Sequence, residues 1–167
     1  MWYNHVGSVY LLKGPRATRA FFFATRKRTR MAPRFRSFKQ RGEWVELKFI
    51  TEAIARGFHV ILPYGQSMRY DLVIERDARF GRVQVKSTDC LMDDGYRCTL
   101  ATHNGRLQYS AEQIDFLAAY VLPVDVWYIF PAEAIANRNV AMLYPHRKPA
   151  QGGMFEKFRD AWHLLLA

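Results

Sequence analysis

The sequence predicts an α/β domain, a mixed central β-sheet flanked by helices, and three observations lead there. The apolar pattern alternates between helical and strand periods, in the order helix, strand, hairpin, strand, helix, strand. Residues 70–87, YDLVIERDARFGRVQVKS, place two runs rich in β-branched and apolar residues around a polar segment, which is the signature of a hairpin. The 167 residues suffice for one domain whose core needs no staples.

The elements follow in order. Residues 42–57 read as a helix, with Leu47, Ile50, Ile54 and Phe58 at helical spacing and Gly57 suited to a C-terminal cap. Glu46 falls at the edge of that apolar face, directed toward the sheet, with Glu43 one turn earlier as the alternate. The run FHVILP is a strand, and YGQSMR is a loop whose Tyr64, Gln66, Ser67 and Arg69 are candidate rim residues. The hairpin comes next, its turn within ERDARFG at Gly81.

Side chains alternate across a strand, so Asp71, Val73 and Glu75 share one face, and Gln84 and Lys86 share another. If the register aligns these faces, a carboxylate, an amide oxygen and an ammonium converge, which is the equipment for holding a divalent cation beside a phosphate. YRCTLAT reads as a fourth strand, reached through Asp93, Asp94 and Gly95, a triplet better explained by turn chemistry than as a ligand pair. A second helix is expected over residues 110–121, with the capping-box spacing of Ser110 and Gln113, buried Ile114, Leu117 and Ala118, and Pro123 as its stop. DVWYIFP is a buried strand, VAMLYP a weaker one, and a closing helix from about Met154 carries Phe155, Phe158, Trp162 and Leu165 on its apolar face.

Charge divides the chain. Residues 1–42 hold 11 Lys and Arg and no Asp or Glu, and the remainder holds 14 basic and 15 acidic residues, so +11 and −1 make the net +10. Residues 1–41 are therefore read as a basic arm, disordered or, over residues 1–30, upstream of a true start at Met31, and residues 42–167 as the folded domain. Such an arm fits phosphate-backbone binding. It also has the Arg-rich, acid-free character of an organelle transit peptide, although with few Ser.

No apolar run approaches the roughly 18 residues that span a membrane; the expected location is cytoplasmic, with nucleoid association. Cys90 and Cys98 make no disulfide framework, and with His103 they lack the spacing of a structural zinc site. No Gly-rich phosphate loop, nucleophile elbow or zinc-binding helix motif appears, which argues against kinases, esterases and zinc hydrolases.

An acidic residue on one strand, Asp71, followed on the next by a Gln84-Val85-Lys86 triplet, resembles the PD-(D/E)xK phosphodiesterase superfamily. The QVK version, with YDLVIE before it, looks most like the group I intron-associated homing endonuclease branch, and the likeness spans about residues 42–135. Tyr70 stands where the name-giving Pro would be, and Gln84 replaces the usual acid.

The resemblance implies a restriction-endonuclease-like core and a metal-dependent endonuclease. It implies Asp71, the Gln84 side chain, the Val85 carbonyl and Glu46 as Mg²⁺ ligands, with Mn²⁺ as a substitute, and Lys86 as the cation at the reacting phosphate. Tyr109 and Asp115 are candidates to lie behind these groups, although ordinary surface roles suit them better. The expected substrate is double-stranded DNA, and the expected assembly is a homo-oligomer, dimer or tetramer, because two strands need two sites. The alternatives are a Holliday-junction or repair-type nuclease that reads DNA structure, and a non-catalytic nucleic-acid-binding module that keeps the fold.

Overall fold

The computed structural model describes residues 33–65, 67–102 and 107–165. Its helix α1, Phe38–Ala55, begins four residues before the expected Gly42. The signal lies in SFKQ: Ser37 is the N-cap and accepts from the Gln40 N–H at 3.1 Å, while the Gln40 side chain accepts from the Arg36 N–H at 2.7 Å. At the other end Gly57, at φ 84°, donates to the Ile54 carbonyl and Phe58 donates to that of Ala53, the paired bonds of a Schellman cap.

The buried stripe of α1 is Val45, Phe49 and Ala53. Of the expected stripe, Phe58 is buried and Ile50 packs against the same core, whereas Leu47 and Ile54 remain 63% and 56% exposed. Phe49 decides the rotation of the helix, since its ring packs between Trp127 at 5.4 Å and Trp162 at 5.2 Å.

A five-stranded sheet follows, formed by β1 (His59–Ile61), β2 (Leu72–Arg76), β3 (Arg79–Thr88), β6 (Phe116–Val121) and β7 (Val126–Pro131) in the order β1-β2-β3-β6-β7. Every neighbouring pair is antiparallel except β3 with β6, so the sheet is mixed as predicted. The hairpin turn is Asp77-Ala78, both at positive φ as in a type I′ turn. Gly81 instead lies inside β3, opposite Ile74. A second sheet, β4 (Leu91–Met92), β5 (Gly95–Thr99) and β8 (Val140–Leu143), contains the predicted fourth strand and the weaker late strand.

Two expected helices are absent from the described residues. The 110–121 segment forms one turn, in which Gln113 and Ile114 donate to the Ser110 carbonyl, and then enters β6. The capping chemistry at Ser110 is real but does not propagate: FLAAYV is a continuous apolar run whose last five residues are all buried in the middle of the sheet. The closing segment forms short 3-10 turns at Glu156–Phe158 and Trp162–Leu164, interrupted by Asp160 at φ 48°. Its four predicted apolar residues are nevertheless all buried.

One core lies between α1, the closing segment and the sheet face carrying Val83, Val85, Ala118 and Ile129. The other joins the opposite face, with Leu117, Ala119, Tyr128 and Phe130, to Tyr96, Cys98 and Leu143 of the second sheet. Among the described residues no helix is long and apolar enough to cross a membrane.

Candidate active site

The site lies where β2 and β3 part. The Asp71 N–H still donates to the Val83 carbonyl at 2.9 Å, but from there β3 continues without β2 beside it. On its other edge β3 pairs with β6 from Val83 to Thr88. The N–H and C=O of Val85 thus face the fork, and side chains meet them. The Val85 N–H donates to Asp71 Oδ2 at 2.7 Å, and Gln84 Nε2 donates to the same oxygen at 2.5 Å and to the Val85 carbonyl at 3.3 Å. Register sets this arrangement: Val73 opposes Arg82, so Asp71 lies on the face that carries Gln84 and Lys86.

Burial raises the Asp71 pKa, and the Val85 N–H, the Lys86 charge and the Gln84 amide offset only part of that rise. Glu46, half-buried on α1, is pushed up to about 7 by burial, then by the charges of Asp71 and Glu43, with Lys86 pulling the other way. Glu43 itself is exposed and sits 3.9 Å from Lys39. The Lys86 ammonium lies 5.5 Å from the centroid of the Tyr109 ring.

Among the described residues no three His, Cys, Asp or Glu side chains gather as a metal site. The candidate donors are the carboxylates of Asp71 and Glu46, the Val85 carbonyl and, once its amide is turned, the Gln84 side-chain oxygen, all hard oxygens. That set fits Mg²⁺ or Mn²⁺ and does not fit zinc, which favours thiolate and imidazole.

Other candidates stand elsewhere. Tyr64, Ser67 and Arg69 are exposed on the segment leading to Asp71, and Gln66 and His103 fall outside the described residues. Asp94 is held by Arg147 at the β4–β5 turn. Cys98 is fully buried, its thiol pushed up to about 12 chiefly by burial, and Cys90 is exposed.

Arg82 is the neighbour that sequence reasoning missed, although it precedes Gln84 by two residues on the same strand face. Its side chain donates to both Asp115 carboxylate oxygens at 2.9 Å, to the Ala111 carbonyl at 3.0 Å and to that of Glu112. These bonds fix the turn after Tyr109 and hold the Asp115 pKa low.

The chain's residues 36–165 match the family model described as PD-(D/E)XK endonuclease. Among solved structures, the chain is similar to the bacterial homing endonuclease I-Ssp6803I, with 28% identity, 78% of this chain and 91% of that chain covered, and a TM-score of 0.67. A likeness to Hjc, a Holliday junction resolvase from Archaeoglobus fulgidus, has 17% identity, covers 63% of this chain and 84% of that chain, and has a TM-score of 0.45. No curated protein sequence matches the chain.

Proposed function

The chain belongs to the PD-(D/E)XK endonuclease family, and from that premise we propose that it is a Mg²⁺-dependent enzyme that hydrolyses phosphodiester bonds of double-stranded DNA. The observation that carries this reading is the fork, where Asp71, Gln84 and both backbone groups of Val85 meet at hydrogen-bond distance. The likeness to a bacterial homing endonuclease supports DNA as the substrate.

A divalent cation, when bound, lowers the pKa of water and polarises the phosphoryl oxygen. Asp71 supplies the charged ligand and the Val85 carbonyl a neutral one. The Gln84 amide now turns its nitrogen toward both oxygens; a half-turn about its last torsion presents the oxygen instead. Glu46 adds a second negative charge from α1, directly or through water. Lys86, on the same strand face, stabilises the charge that develops on the phosphoryl oxygens. Two such sites cut two strands, so the working form is a homo-oligomer. The surplus positive charge of residues 1–41 contributes salt-dependent affinity for the phosphate backbone.

The test is Mn²⁺ binding by calorimetry in the presence of a short duplex, for wild type and Asp71→Asn. Binding that vanishes in the variant is expected. Equal binding in both, or none in either, overturns the metal site and leaves the non-catalytic nucleic-acid-binding reading.

A further inference from the structure

Resting on that reading, we propose that Tyr109 is a positioning residue for Lys86, and that the Arg82–Asp115 clamp keeps Tyr109 in place. Among the described residues Lys86 makes no ion pair within 4 Å, although its charge acts on Asp71 and Glu46, and the ring of Tyr109 lies 5.5 Å from its ammonium. A lysine on a strand has four flexible bonds, so without a partner its ammonium samples many positions. An aromatic face within about 6 Å attracts the cation while leaving its N–H donors free. An acidic partner would hold it as firmly but would cancel the charge needed at the phosphate.

Tyr109 is itself constrained. Only 8% of it is exposed, and it packs in the core formed with Cys98, Leu117 and Ile114. Immediately after it, the Arg82 guanidinium bonds the Asp115 carboxylate and the carbonyls of Ala111 and Glu112, while the Arg82 and Asp115 N–H groups close the ring from the backbone. Arg82 and Lys86 stand on one face of β3, so the strand that presents the lysine also anchors the segment that holds it. The single turn at Ser110, found where a longer helix was expected, thereby has a use as a mount for an aromatic ring.

The test is carried out on the full chain. In the wild type, the Lys86 ε-methylene resonance, assigned by comparison with Lys86→Arg, is expected upfield of those of other lysines because of the ring current. The displacement persists in Tyr109→Phe and is lost in Tyr109→Leu. In cleavage with Mn²⁺, Tyr109→Phe stays within about twofold of wild type, and Tyr109→Leu loses about tenfold in kcat with KM unchanged. A wild-type Lys86 resonance without displacement, or equal kcat loss in the Phe and Leu variants, overturns the proposal. If Tyr109→Leu does not fold, the wild-type resonance alone decides. Failure of the nuclease reading is seen separately, as an absence of cleavage by wild type while the resonance remains displaced.

Discussion

The Gln84 amide nitrogen sits 2.5 Å from Asp71 Oδ2 and 3.3 Å from the Val85 carbonyl oxygen, bridging two of the candidate cation ligands with its own N–H donors. That donor occupies the place of positive charge. Gln84→Glu replaces it with a third carboxylate against Asp71, which costs stability without metal because like charges cannot both ionise cheaply at contact. With metal the added charge is favourable. We expect a lower melting temperature at pH 8 in chelator, recovery with Mg²⁺, and Mn²⁺ binding about tenfold tighter than wild type. Unchanged affinity would show that side chain 84 does not coordinate.

Asp71→Asn and Asp71→Ala should differ in stability although both end cleavage. Alanine leaves the N–H of the buried Val85 without its 2.7 Å acceptor, at a cost of about 1–3 kcal/mol. Asparagine keeps an acceptor and removes a carboxylate that burial already disfavours, so it should melt at or above the wild-type temperature. Thermal melts on the three proteins separate the structural role from the chemical one.

Glu46 and Asp71 set the pH dependence. Both pKa values are raised in the folded protein, Glu46 from 4.5 to about 7, so between those limits the folded state holds more protons than the unfolded one. Their contribution to stability therefore falls as pH rises from about 4.5 through 7. Metal binding must displace the same proton, so Mn²⁺ affinity should rise between pH 6 and 8 with proton release. Glu46→Gln should flatten both profiles, measured by urea unfolding and by calorimetry in buffers of different ionisation enthalpy. A steep affinity profile in Glu46→Gln would place the titrating group elsewhere.

The hairpin was legible because period-two alternation and register are local properties: Asp71 and Gln84 share a face once Val73 opposes Arg82. The Schellman glycine at position 57 was equally local. Residues 116–121 were not legible, since FLAAYV is apolar on every side and a buried strand and a buried helix look alike in such a run. The start of α1 was present in SFKQ but overshadowed by the basic run around it. Arg82 carries no motif, and its partner Asp115 lies 33 positions away, so only the β3–β6 pairing reveals the clamp.

Trp162 gives the sharpest contrast between pattern and packing. It lies outside any α-helix, yet its ring stacks on Phe49 at 5.2 Å, meets Trp127 edge-on at 5.8 Å and carries the Arg56 guanidinium 4.0 Å above it. These contacts join the closing segment to α1 and β7, so the residue holds three elements together. Trp162→Ala should cost about 3–5 kcal/mol, from lost burial and the cavity left beside Phe49. Leu47→Ala and Ile54→Ala, on the exposed side of α1, should each stay within about 0.5 kcal/mol of wild type. Helical spacing within 42–57 instead places Leu47 and Ile54 on the apolar face of the helix, where truncation would be costly too. Urea unfolding of the three variants decides, and a large loss at Leu47 or Ile54 would mean that this face is covered in solution.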